Sequence, residues 1–146
     1  MRYVRLLSFA LLLVWFHPAT AQTLFHLEEN KVPVAVVQVI RALDHTEVHL
    51  QAQASFKGVC WYSSGPNSPY LLAGGRRYRF LNGDGIAACP NLRGYAAREV
   101  MVLRFKPLEP QVREFSLVEG KGGEHQMIDP ASSTEIFWNF LHVKLN

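Results

Sequence analysis

The chain has 146 residues, of which 49% are hydrophobic and 18% charged, a balance that excludes an intrinsically disordered segment and a coiled coil. That length suits one domain burying roughly two-thirds of its unfolded surface, enough for a core without metal staples. The formal charge is +3, but two of the 15 basic residues, Arg2 and Arg5, stand in a leader, so the remainder is close to neutral and gives no support for nucleic acid or an anionic membrane as partner.

The first residues have three parts. Met1 to Arg5 is basic, Leu6 to Phe16 is apolar, and after Pro18 the small residues Ala19-Thr20-Ala21 precede Gln22. This pattern predicts a secretory signal peptide over residues 1–21. As a helix the apolar run covers only about 16 Å of a roughly 30 Å hydrocarbon core, so a cleaved leader is favoured over an anchor. The expected product is secreted or periplasmic, with no membrane insertion after cleavage. In an oxidising compartment Cys60 and Cys89 are expected to form one disulfide, closing a loop of about 30 residues. A nucleophilic role for Cys60 has little behind it, because Gly58-Val59-Cys60-Trp61 shares only a Cys-Trp step with papain-like proteases.

Residues 22–33 read as an N-terminal extension, and residues 34–146 as the folded domain. Val34 to Leu43 is a nearly continuous β-branched run, which predicts a strand that is central or buried on both faces. Asp44-His45 connects it tightly to Thr46–Phe56, where Val48, Leu50, Ala52, Ala54 and Phe56 alternate with polar residues, so the two are expected to form a hairpin. Tyr70–Leu72 and Arg77–Leu81 flank Gly74-Gly75, another hairpin signal, and Asn82 to Gly85 is expected to turn the chain. Pro90 to Glu99 has room for a short helical turn. Glu99–Phe105, Arg113–Glu119 and Ile136–Leu145 complete the series, the last with Leu141, Val143 and Leu145 on one face. About seven strands broken by Gly and Pro predict an all-β fold, an antiparallel two-layer β-sandwich.

Several segments carry a resemblance. Tyr78-Arg-Phe80 with Gly83-Asp-Gly-Ile86, Leu103 to Leu108, Phe115 to Gly120 and the terminal Trp138-Asn-Phe140 are similar to a family of small exported bacterial β-sandwich (Ig-like) domains. Their role is poorly defined, and they stand alone after a signal peptide or precede a thioredoxin-like or hydrolase domain. The likeness spans roughly residues 34–146. It implies an architecture and an address, and it brings no catalytic residues with it. The Cys60/Cys89 pair departs from the pattern.

Candidate chemistry is sparse. Glu47 and His49 share one strand face and would need a third ligand to hold a metal; His125 and Asp129 lie together in a Gly-rich excursion without a recognised spacing. Glu114 and Glu119 stand at odd separation and point to opposite faces. Serine-hydrolase, zinc-protease and phosphate-loop motifs do not occur, so no cofactor, resident metal or catalytic role is expected. Arg76-Arg77-Tyr78-Arg79 invites a nucleic-acid reading, but a solvated face beside a hairpin turn or a guarded sheet edge explains it better, and no nucleic-acid partner is expected. The aromatics near the disulfide, Trp61, Tyr62, Tyr70 and Tyr95, suit either of two roles: a rigid binding patch, or packing inside the sandwich over the cysteines.

These observations favour an exported, non-catalytic binding or accessory domain that recognises a protein or envelope component through its loops. The alternative is a periplasmic immunity or inhibitor protein acting against a toxin or hydrolase. A metal-assisted hydrolase using His49, Glu47, His125 or Asp129 ranks below both.

Overall fold

A computed structural model describes residues 33–120 and 138–146. The leader, His26, His125, Asp129 and the predicted strand's first residues, Ile136 and Phe137, lie outside the described residues. Within them are nine strands and no helix: β1 (Val34–Arg41), β2 (Thr46–Ala52), β3 (Phe56–Val59), β4 (Tyr70–Ala73), β5 (Arg76–Asp84), β6 (Arg93–Tyr95), β7 (Val100–Phe105), β8 (Glu114–Val118) and β9 (Phe140–Lys144). Seven of them form one antiparallel sheet in the order β1-β2-β7-β5-β4-β8-β9, and β3 pairs with β6 in a second, two-stranded sheet.

The long sheet bends at β5. Residues Arg76 to Arg79 pair with β4, whereas Phe80 to Asp84 pair with β7, and the register shifts between Phe80 and Asn82. A strand shared in this way joins two sheet halves whose apolar faces pack together. One core results: Val36, Val39, Val48 and Leu50 from one half meet Leu71, Phe115, Leu117 and Phe140 from the other in a single cluster. The fold is therefore all-β and sandwich-like, as period-two alternation predicts. On β2 the alternation is complete, with Thr46, Val48, Leu50 and Ala52 buried and Glu47, His49 and Gln51 half-buried on the other face.

Several local expectations need correction. β1 is an edge strand, not a central one. A register shift between Val36 and Gln38 explains its run of β-branched residues: the extra Val37 puts Val36 and Val39, three apart, into the same core. The strand from Thr46 stops at Ala52, and Phe56 opens β3 opposite Tyr95. Asn82 to Asp84 remain in β5, and the chain turns at Gly85, whose φ is +69°. The Pro90–Glu99 segment forms β6 rather than a helical turn, because Arg93–Tyr95 completes the small sheet. In β9 Leu141 does not share a face with Val143. His142, at φ +55°, inserts a bulge that turns Phe140 and Val143 inward opposite Leu117 and Phe115.

Two turns need glycine. Gly74 (φ +55°) and Gly75 (φ +77°) both occupy left-handed geometry between β4 and β5, as a type I′ hairpin requires. At Gly85 an added Cβ would lie 2.8 Å from the carbonyl oxygen of Val100 as well as adopting a strained φ. Gly85→Ala is expected to cost about 1–3 kcal/mol, measured as a shift of the denaturant midpoint; Gly74→Ala, with open space around it, is expected to cost less.

Candidate functional site

The predicted disulfide forms between Cys60 and Cys89, with a Cα–Cα distance of 4.9 Å, and no cysteine is free. Beside it the backbones interlock: Trp61 N–H donates to Ala87 O at 2.9 Å, and Cys89 N–H donates to Trp61 O at 2.9 Å. The rings gathered there point inward. Trp61 is 2% exposed and Tyr95 3% exposed. Trp61 meets Trp138 edge-on at 5.3 Å, Trp138 meets Phe56 edge-on at 6.0 Å, and Phe56 lies 5.2 Å from Tyr95. Tyr95 Oη accepts a hydrogen bond from Ala87 N–H at 2.9 Å, and burial pushes its phenol above the ordinary range. Tyr70 is buried too, covered by the Arg77 guanidinium 4.4 Å above its ring, while Tyr62 is half-buried. Of the two roles open to these aromatics, Trp61 and Tyr95 have taken the core. The four residues do not make one exposed patch.

The acid and histidine groups of β2 form a network on the outer face. Glu47 is the hub: Arg104 Nε donates to its Oε1 at 2.8 Å, His49 Nε2 lies 2.9 Å from its Oε2, and His45 Nε2 lies 3.4 Å from Oε1. The register places Glu47 opposite Arg104, which also reaches Asn82 Oδ1 at 3.2 Å. At the hairpin tip His45 Nδ1 lies 2.7 Å from Asp44 Oδ1. Both oxygens of Glu47 are thus occupied. Among the described residues no group of three or more His, Cys, Asp or Glu side chains is arranged to hold a metal ion. The Glu47 carboxyl sits below its ordinary value of 4.5, chiefly through the hydrogen bond with His49, opposed by burial and helped by Arg104.

That direction has a consequence for stability. A carboxyl whose folded pKa is lowered stabilises the fold above its unfolded value, and the contribution is lost as pH falls through the folded value. Glu47→Gln is expected to flatten the loss of thermal midpoint on acidification from about pH 6 to pH 3, with little change in shape of the neutral limb.

The other acids have structural partners. Glu119, 4% exposed, accepts a hydrogen bond from Trp138 N–H at 3.0 Å through Oε2, and its own N–H donates to Asn139 Oδ1 at 3.1 Å. Glu114 is on the outside, 2.8 Å from His142 Nδ1. The two carboxylates point apart, as their spacing predicts.

The basic run of β5 behaves differently. β5 lies between β7 and β4, but Arg76 to Arg79 pair with β4 alone and β7 joins only from Phe80 onward, so the basic run borders a locally open edge, and guarding that edge remains one account of its arginines. Arg76, Arg77 and Arg79 line an open depression of about 710 Å³ with Tyr78, Lys106, Pro107 and Asp44. Arg76 is engaged by Glu109. Among the described residues Arg77 is committed only to the Tyr70 ring. Arg79 and Lys106 have no ion pair or side-chain hydrogen bond among the described residues, and both are exposed. They are held side by side by Lys106 N–H donating to Arg79 O at 2.9 Å. Among the described residues the lining carries one carboxylate, that of Asp44. The arginine run was visible in the sequence; Lys106 and Asp44 join it only because β2, β5 and β7 are neighbours.

No protein-family model matches this chain, and neither a curated protein nor a solved structure is found to resemble it.

Proposed function

We propose that this is an exported, non-catalytic binding module that docks an acidic protein or envelope component on the basic depression at the β4–β5 hairpin. The observation that carries the reading is the set of three cations, Arg77, Arg79 and Lys106, that have no carboxylate partner among the described residues around one open concavity. Unpaired cations of one sign steer an acidic partner and supply charge-assisted hydrogen bonds on contact. The closed disulfide supports export, and among the described residues no helix is long and apolar enough to cross a membrane.

The test is a charge reversal. Arg79→Glu with Lys106→Glu is expected to weaken binding of poly-glutamate at low salt by about tenfold or more while leaving the thermal midpoint nearly unchanged. Unaltered affinity would remove the basis for the reading. Asp44→Asn, which deletes the one acid of the lining, is expected to tighten the same binding about twofold to fivefold. Raising ionic strength should weaken both proteins toward a common limit.

A further inference from the structure

We infer that the occupant of this depression is an extended acidic segment of another polypeptide, which adds as a short β-strand to the open edge of β5 at Arg77. The inference rests on the binding role proposed above and specifies how the ligand is held.

The open edge follows from the register. Gly74-Gly75 form a two-residue hairpin turn, so Ala73 and Arg76, which close it, exchange ladder hydrogen bonds. The next pair, Leu72 and Arg77, then exchanges none, and the N–H and C=O of Arg77 point away from β4. Two residues further on, that side of the strand is occupied, because Arg79 O accepts from Lys106 N–H at 2.9 Å. To reach Arg77 in the same way, β7 would need its next ladder residue, Leu108. Pro107 carries no N–H, and Leu108 N–H donates instead to Oγ1 of the buried Thr46 at 2.9 Å. The chain leaving β7 is thus tied to β2, and among the described residues no backbone group bonds the N–H or C=O of Arg77. The depression is lined by this edge together with Lys106, Pro107 and Asp44.

A donor and an acceptor on one strand residue are the complement of another polypeptide backbone, whereas a phosphate or a lone carboxylate has nothing to donate to the C=O. The sign of the occupant comes from the side chains. Arg77, Arg79 and Lys106 are exposed and have no carboxylate partner among the described residues. An acidic residue opposite Arg77 pairs with its guanidinium across the strands. The same cations turn away a second copy of this chain, since pairing through this edge would set arginine against arginine. Guarding the edge and selecting an acidic strand are therefore one property of the run.

The experiment titrates the isotopically labelled full chain with a peptide of about ten residues rich in Glu and Thr, and with the same peptide N-methylated at every residue. The second keeps the charges and cannot pair as a strand. The unmodified peptide is expected to slow exchange of the Arg77 amide about tenfold or more, and the methylated one to bind about tenfold more weakly. Arg77→Pro removes the outward N–H without touching the bonds to β4, and is expected to bind the unmodified peptide more weakly than Arg77→Gln does. Equal binding of both peptides, lost on Arg79→Glu with Lys106→Glu, would overturn strand addition and leave the acidic docking site standing. Binding of neither peptide in a manner dependent on Arg79 and Lys106 would overturn both. Tighter binding of linear polyphosphate than of the peptide, with the same dependence, would overturn the polypeptide occupant. Self-association of the full chain in sedimentation, abolished by Arg77→Pro, would replace that occupant with a second copy. Far-UV circular dichroism of each variant separates lost binding from lost folding.

Discussion

Trp61→Ala is expected to destabilise the fold by about 3–5 kcal/mol, the range for removing a fully buried tryptophan, read from the denaturant midpoint at unchanged slope. Burial is one reason: the side chain is 2% exposed. Its position is the other. The indole meets Trp138, the first described residue of the C-terminal segment, edge-on at 5.3 Å, and that ring in turn meets Phe56 on the small sheet. Truncation leaves a void where three chain segments converge. Trp61→Phe keeps most of the apolar contact and is expected to cost less than half as much. The backbone bonds of Trp61 to Ala87 and Cys89 survive both changes, so the difference between the two variants isolates the packing of the indole.

Removing the disulfide, by Cys60→Ala with Cys89→Ala, is expected to cost about 3–4 kcal/mol in the chain-entropy account. The cysteines are 29 residues apart, and the loop they close contains β4, β5 and the whole basic run. Native contacts already hold the two ends together through the paired bonds between Trp61 and residues 87 and 89. The double variant should therefore retain its strand content at low temperature and lose its margin on heating. Cysteines that alkylate freely in the unreduced, native protein would contradict the bridge itself.

The elements most readily legible in the sequence were those where local chemistry and burial agree. Thr46 to Ala52 alternates without interruption, and Gly74-Gly75 admits few conformations other than the turn it makes. The errors fall where a single residue breaks the period. Val37 and His142 each insert a bulge, and nothing in the alternation of β-branched or apolar residues marks which one will be extra. Segment 53–55 likewise looks like continued strand, yet Phe56 pairs with Tyr95, a partner 39 positions along the chain that no short window contains. The site follows the same logic. The arginines of β5 were legible as a charge run, but their meaning depends on β5 passing from β4 to β7 at Phe80, on Tyr78 facing inward, and on Lys106 arriving from the end of β7. The loop aromatics combine large ring area with rigidity. Those same properties fit them to fill the end of a sandwich, and at Trp61 and Tyr95 packing won.

The most direct test of the acidic docking surface is backbone amide chemical-shift mapping on the isotopically labelled full chain titrated with poly-glutamate at low salt. Perturbations concentrated on Asp44, Arg76 to Arg79 and Lys106, disappearing as ionic strength rises, are the predicted result. Perturbations centred on the Trp61–Tyr62 loop, or none in the β4–β5 region at saturating ligand, would contradict it.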